Sequence, residues 1–242
     1  MTPRSGPAGA LRRGVPSILL LLLGCASNVT RDGTVPAREV ASGIRAELLA
    51  MAARDQEVRE VDLGSIEESE RRAEFERRRA VDRENTARLA AIVDAHGWPA
   101  ATWAGEDGAH AAWLLVQHAD QDPAFQRRCL PLLEEAARRG EGELADVAYL
   151  TDRVLTAGGR PQLYGTQYES ARDAEGRTLL DAEGNFVYEP PLVVDAEHLD
   201  ERRAAMGLGP WREYEAAVAE VQRREPFDAP RDAGTDADRT GP

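Results

Sequence analysis

A mainly α-helical domain of six to eight helices, with one small β-hairpin, is the fold this sequence predicts. Three observations predict it. Apolar residues recur at three- and four-residue spacing through most of residues 43–224. Gly and Pro stand where helices stop and start. Only between about 162 and 190 does the pattern change, to aromatic and branched residues around glycines.

Arg4, Arg12 and Arg13 precede an unbroken apolar run, Ile18 to Leu23, with no acidic residue before Cys25. Basic, apolar, then small is the secretory pattern, and the run is shorter than the roughly 20 residues a membrane span needs. Leu22-Leu23-Gly24-Cys25 resembles a lipobox. The resemblance implies a lipoprotein signal peptide at 1–24, cut before Cys25, with lipid on the Cys25 sulfur. The expected location is therefore the cell envelope outside the cytoplasm, on its periplasmic or cell-surface face, with the membrane as partner through Cys25. Residues 25–42 are polar, contain Gly33 and Pro36, and read as a tether. Residues 225–242, rich in Asp, Pro, Gly and Thr, read as a disordered tail.

Between them lies the helical domain, 43–224. Ile44, Leu48, Met51 and Val58 form a first stripe. Ser65 with Glu68 predicts a capping box for a long second helix, closed by His96-Gly97-Trp98-Pro99. Residues 109–116 are apolar on nearly every side, which predicts a central, enclosed helix. Asp122-Pro123 opens the next, running to about Arg139-Gly140. Leu144, Val147, Thr151, Val154 and Leu155 stripe a further helix that ends near Gly158-Gly159. A β-hairpin is expected at about 162–190, its turn near Glu183-Gly184, where Asp173-Ala-Glu-Gly176 recurs as Asp181-Ala-Glu-Gly184. Asp181, Glu183 and Asn185 have a calcium-like spacing, but the Gly is misplaced for a calcium loop, and a plain turn is the better reading. Short helices over about 195–206 and 210–223 complete the domain, the second opened by Pro210.

Charge narrows the partners. The chain carries −13, and removal of three arginines with the signal takes it to −16; it contains no Lys. Such a charge repels phosphate backbones, so no nucleic acid is expected as partner. Cys129, on a stripe with Phe125, Leu132 and Ala136, reads as a buried inert thiol. No HExxH, CxxC, phosphate loop or GxSxG is present, so neither a metal site nor a cofactor is expected.

Polar side chains on core stripes carry the functional signal. Asp55 falls amid the first stripe; Asp82, Asn85 and His96 share a face with Phe75, Leu89, Ile92 and Val93. Gln117 and His118 end the enclosed helix, and Asp152 sits at the edge of its own stripe. Buried carboxylates and imidazoles are costly unless paired, so they point to one shared polar cluster. A purely structural network, with Asp55 or Asp82 paired to Arg59, Arg78 or Arg153, is the competing explanation. Arg153 points away from the main stripe of its helix, which by itself predicts a solvated side chain.

The ordered series His96-Gly97-Trp98-Pro99, Gln117-His118-Ala119-Asp120, Asp152-Arg153 and Gln162-Leu163-Tyr164-Gly165-Thr166-Gln167 is distinctive. Asp200-Glu201-Arg202-Arg203, Gly207-Leu208 and Tyr214 come after it. It resembles a bacterial family classed as a domain of unknown function, number 6624, over about residues 45–215. The resemblance implies no reaction; it directs attention to His118, Asp152, Arg153, Gln162, Tyr164 and Gln167. The hairpin looks elongated relative to the family.

Two functions remain open. The first is a binding module for a small polar ligand or an envelope partner, using Gln117, His118, Asp152, Arg153, Gln162, Tyr164 and Gln167; the amides can donate and accept without charge. The strand-like 162–168 segment would form one wall. The second is a hydrolase or transferase with His118 as general base, Asp152 or Asp82 orienting it, Arg153 stabilising an anion and Tyr164 as acid. The catalytic candidates are thus His118, Asp152 and Tyr164. The two readings part at His118: the enzyme needs a carboxylate within its hydrogen-bond reach and facing a cavity, whereas a Gln- and Arg-lined cleft without such a carboxylate favours binding.

Overall fold

Seven α-helices and one two-stranded antiparallel ribbon make up the described part of the chain. The structure, a computed structural model, describes residues 38–61, 66–179, 181 and 187–222. The signal, the lipidation residue Cys25, the tail and the expected turn at Glu183-Gly184 lie outside these residues. The helices are α1 (Arg38–Glu57), α2 (Glu68–His96), α3 (Ala101–Gln117), α4 (Pro123–Arg138), α5 (Leu144–Ala157), α6 (Leu199–Ala205) and α7 (Trp211–Gln222). Strands β1 (Glu169–Ser170) and β2 (Tyr188–Glu189) lie between α5 and α6. Among the described residues, no helix is long and apolar enough to cross a membrane.

The hub is α3, which packs against α1, α2, α4 and α5. Its small residues explain the position: Ala104, Gly108, Ala111 and Ala112 are buried and let neighbouring backbones close in. A Cβ on Gly108 would stand 3.3 Å from Arg45 Cγ of α1. Around α3 the core collects Ile44 and Leu48, Leu89 and Ile92, Leu115 and Val116, Phe125 and Leu133, and Val147 and Leu150. Cys129 belongs to this core, and burial pushes its thiol up to about 12, as expected of a packing residue. Arginine carboxylate pairs stitch the outside, Arg54 to Glu84, Arg88 to Glu47 and Arg45 to Asp107. Exposed pairs of this kind contribute about 0–1 kcal/mol each.

Most helix boundaries agree with the punctuation read from sequence. Gly97, at φ 74°, donates to Val93 O and ends α2. Asp122 caps α4 by accepting from Phe125 N at 2.9 Å. Three details differ. First, α1 begins at Arg38, inside the segment read as a tether, because Ala41 extends the buried stripe of Ile44 and Leu48 by one turn. Second, α2 begins at Glu68 after Glu67, whose side chain makes no capping bond. The N-cap is thus Glu67, and the expected capping box of Ser65 with Glu68 lies outside what is described, since Ser65 and the Glu68 side chain are not among the described groups.

Third, residues 162–168 are not a strand. Their one bridge is parallel, Gln162 to Val193, and lies outside the ribbon. The antiparallel ribbon starts after them, pairing Glu169 with Glu189 and Ser170 with Tyr188. The first Asp-Ala-Glu-Gly copy makes a tight turn: Asp173 accepts from the backbone N–H of Glu175 and Arg177, and Gly176 N donates to Asp173 O.

Inside α3, Gly105 breaks the helical backbone at φ 77° and ψ 161°. A Cβ there would lie 2.9 Å from Asp107 Oδ1 and 3.1 Å from Arg45 Nε. Gly105→Ala is expected to lower stability by about 2 kcal/mol through strain and a disturbed ion pair. Denaturant unfolding checks this; an unchanged midpoint would show that the kink tolerates a side chain.

Candidate functional site

Where α3 runs out, His118 leaves the helix with its ring turned onto α1. Its Nδ1 lies 3.0 and 2.9 Å from the two oxygens of Asp55. Asp55 is fully buried, yet its carboxylate and carbonyl are both met by donors. Gln56 Nε2 donates to Oδ2 at 2.8 Å, while Arg59 Nη1 donates to Oδ1 at 2.8 Å and to the Asp55 carbonyl at 3.0 Å. The other end of Arg59 donates to Asp82 on α2 at 2.7 Å. Three helices thus converge on one imidazole.

The charges explain the arrangement. Burial pushes the Asp55 carboxyl up, but the hydrogen bond and charge of His118, with Arg59 and Gln56, more than offset it and hold it below the ordinary carboxylate range. For Asp82 burial wins, and its carboxyl lies above that range despite Arg59. An ionised carboxylate only accepts, so Nδ1 of a neutral His118 carries the proton and Nε2 keeps its lone pair. The ring's bonds to described residues are both at Nδ1, so Nε2 has no partner among them, and the side chain is 21% exposed.

A second carboxylate–guanidinium pair flanks it. Arg153 Nη1 donates to both oxygens of Asp120, at 2.7 and 2.8 Å. Gln126, fully buried on α4, donates to Asp120 Oδ1 and to the carbonyls of Val116 and Gln117. Crowding by the surrounding chain raises the Asp120 carboxyl even though its side chain is exposed, and the charge and hydrogen bond of Arg153, then Gln126 and His118, bring it below the ordinary range. The Asp120 side chain is 58% exposed, so its contact with Arg153 is screened on one side.

Asp152 belongs to a different cluster. Fully buried on α5, it accepts from the backbone N–H of Leu163 at 2.8 Å, Tyr164 at 3.1 Å and Thr166 at 2.9 Å, and from the Thr166 hydroxyl at 2.9 Å. Gln162 and Gln167 lock together, Gln162 Nε2 donating to Gln167 O and Gln167 N to Gln162 Oε1. Gln167 Nε2 donates onward to Tyr149 O and Thr166 Oγ1. Backbone N–H groups that a strand would have paired across a ladder are met by side chains instead. This is the physical reason that 162–168 is a loop and not one wall of strand.

The sequence-predicted residues therefore separate. Gln117, His118 and Arg153 gather at one cluster; Asp152, Gln162 and Gln167 gather at the other, their polar groups taken up inside the fold. Tyr164 joins the second through its backbone. The carboxylate that orients His118 is Asp55, not Asp152 or Asp82. Arg153 is not solvated as its own helix suggests: its side chain is 19% exposed, because Asp120 in the α3–α4 connection covers it. Arg78 donates to the Val58, Arg59 and Val61 carbonyls, closing the end of α1.

Gln126 and Asp120 were missed by sequence reasoning. Gln126 had a signal, since it stands three and seven residues before Cys129 and Leu133 on a buried stripe. Among the described residues, no group of three or more His, Cys, Asp or Glu is placed to hold a metal ion.

Comparison with known proteins adds one finding. The model of a family of unknown function, DUF6624, matches residues 42–222. No curated protein and no solved structure matches the chain.

Two mutations separate the clusters. Asp152→Asn is expected to cost about 3 kcal/mol, since an amide cannot accept all four donors. Asp55→Asn is expected to cost about 3 kcal/mol near neutral pH by leaving Arg59 and His118 without their anion. The folded-state value of Asp55 is lowered, so its stabilisation is present above the unfolded carboxylate range and disappears as pH falls through the folded value. The deficit of Asp55→Asn should therefore shrink in acid. Denaturation at about pH 7 and about pH 3 measures this; an equal deficit at both would refute the assignment.

Proposed function

This chain belongs to the DUF6624 family, and we propose that it is a lipid-anchored envelope hydrolase or transferase in which His118 is the general base. One observation carries the reading: Asp55 holds Nδ1, while Nε2 of the same partly exposed side chain is left without a partner among the described residues. A carboxylate on one imidazole nitrogen fixes the tautomer and ring orientation and stabilises the imidazolium formed when the other nitrogen takes a proton. In the proposed step, Nε2 accepts a proton from water, or from an acceptor hydroxyl, as its oxygen attacks an acyl carbon. The imidazolium then returns that proton to the leaving group, and Asp55 stays ionised throughout. Arg59, bonded to both Asp55 and Asp82, keeps the carboxylate in place. Tyr164 has no part in this step, because its backbone sits with the Asp152 cluster.

The envelope location rests on the Arg4 to Cys25 signal pattern. Cys25→Ser should move the expressed protein from the membrane fraction to the soluble fraction; retention in membranes would count against a lipid anchor.

Gln117 favours a second reading, binding without turnover, since its Oε1 is buried with no partner among the described residues. A panel of ester, amide and peptide substrates distinguishes the two. His118→Gln should lower kcat at least about 100-fold and Asp55→Asn at least about 10-fold, with the folded state retained. Undiminished turnover in His118→Gln would refute the general base, and tight ligand binding with no turnover anywhere in the panel would favour a binding module.

A further inference from the structure

Among the buried polar atoms with no partner in the described residues, Arg153 Nε, Gln117 Oε1 and Gln126 Oε1 belong to residues at or beside the His118 cluster and Asn85 Nδ2 to the helix of Asp82, while others, such as Tyr168 Oη and Trp211 Nε1, lie near the Asp152 loop. Folded proteins leave few such atoms, and each orphan costs about 1–3 kcal/mol. Placement ties the first four together. Gln126 donates both to the Gln117 carbonyl and to Asp120, which Arg153 holds. Asn85 lies one turn along α2 from Asp82.

Arg153 is the most telling of the four. Both of its bonds to Asp120 leave from Nη1. The opposite edge, Nε with Nη2, is the fork that grips a planar oxyanion through two parallel bonds. Elsewhere in this protein that edge is occupied by a carboxylate: Arg88 holds Glu47 with it at 2.5 and 2.7 Å, and Arg45 holds Asp107. At Arg153 it is unpartnered among the described residues, and its Nε is buried.

We propose that the site binds an N-acylated amino acid or the C-terminal residue of a peptide, its carboxylate on the Nε–Nη2 edge of Arg153 and its amide N–H on Gln117 Oε1. Turnover of such a ligand rests on the general-base reading: the acyl–nitrogen bond is the one His118 would help water to cleave, releasing an acid and an amine. Charge selects a carboxylate over a phosphate dianion, because Asp55, Asp82 and Asp120 surround His118 and repel a second negative charge. The acceptor Oε1 of Gln117 likewise suits an amide N–H and offers nothing to an ester oxygen.

Calorimetry and thermal shift on the full chain test this with N-acetylglycine, N-acetylalanine and alanylalanine as probes. Their C-terminal methylamides and inorganic phosphate are the comparisons. At least one probe should raise Tm and bind, and its methylamide should bind about ten-fold or more weakly. Arg153→Ala would strip Asp120 of its partner, so Arg153→Lys is the better variant; it keeps the charge, loses the fork and should weaken binding about ten-fold. Gln117→Leu should weaken binding while leaving the free protein as stable or more so, because it removes a buried orphan acceptor. No binding by any probe, equal binding of acid and methylamide, or a preference for phosphate would overturn the proposal. His118→Gln keeps the two hypotheses apart: binding retained with turnover lost supports both, and binding retained with turnover unchanged sinks the general base alone.

Discussion

The C-terminal third of the molecule depends on one buried carboxylate. Asp152 cannot stay ionised inside α5 unless donors come to it, and residues 163–166 bring three N–H groups and a hydroxyl. Once the loop's N–H groups turn inward, its carbonyls face the other way and need donors of their own. Arg202 donates to Leu163 O, Arg203 to Tyr164 O and the Tyr214 hydroxyl to Thr166 O. Arg203 is itself buried, and it lies over the Tyr214 ring at 4.9 Å. Thus α6 and α7 are held to the helical core largely through the backbone of one loop, and the loop is held by Asp152. Gly165 is needed in it, since at φ 65° a Cβ would meet Trp211 Nε1 at 3.2 Å and Val193 Cγ1 at 3.3 Å.

The two polar clusters have similar ingredients and opposite states. Around Asp152 the carboxylate, the Gln162 and Gln167 amides and the loop backbone satisfy one another. Around His118 the bonding stops short: among the described residues the imidazole has a bare nitrogen, one guanidinium has a bare edge, and three amides have a bare atom each. A network kept only for packing gains nothing from such gaps, because each costs stability. Buried atoms without a partner also lie beside the Asp152 loop, Tyr168 Oη and Trp211 Nε1 among them, so what sets the candidate site apart is the imidazole held by a carboxylate on one nitrogen only. Asp82 also has a part. Its carboxyl, raised by burial, shares Arg59 with Asp55 and so ties α2 to the base of the imidazole.

The helices were legible because their signals are local. Gly97 and the Asp122-Pro123 pair mark helix ends by rules that reach only a few residues, and small apolar residues at 109–116 announce a helix that neighbours crowd. The polar positions Asp55, Gln117 and Asp152 were legible as exceptions on apolar stripes. Their partners were not, because pairing is a property of tertiary contact: Asp55 and His118 are 63 residues apart. The same limit explains two misreadings. Tyr164 and Tyr168 favour strands as residue types, but a carboxylate upstream on α5 took the N–H groups a strand would have used. Arg153 faces outward on a plot of its own helix, and only the path of the α3–α4 connection brings Asp120 over it.

All the groups that satisfy Asp152 come after it in the chain, and so do the groups that satisfy them in turn. As the polypeptide emerges from synthesis, α1 to α5 are available before any of them. Until residue 166 has emerged, α5 presents a charged side chain that must remain hydrated, and the face that carries it cannot close. In the folded chain α6 and α7 thus act as a clasp on the loop that surrounds Asp152. A chain stopped short of Tyr214 loses the hydroxyl that holds the Thr166 carbonyl, so completeness at one end is reported to a carboxylate near the middle.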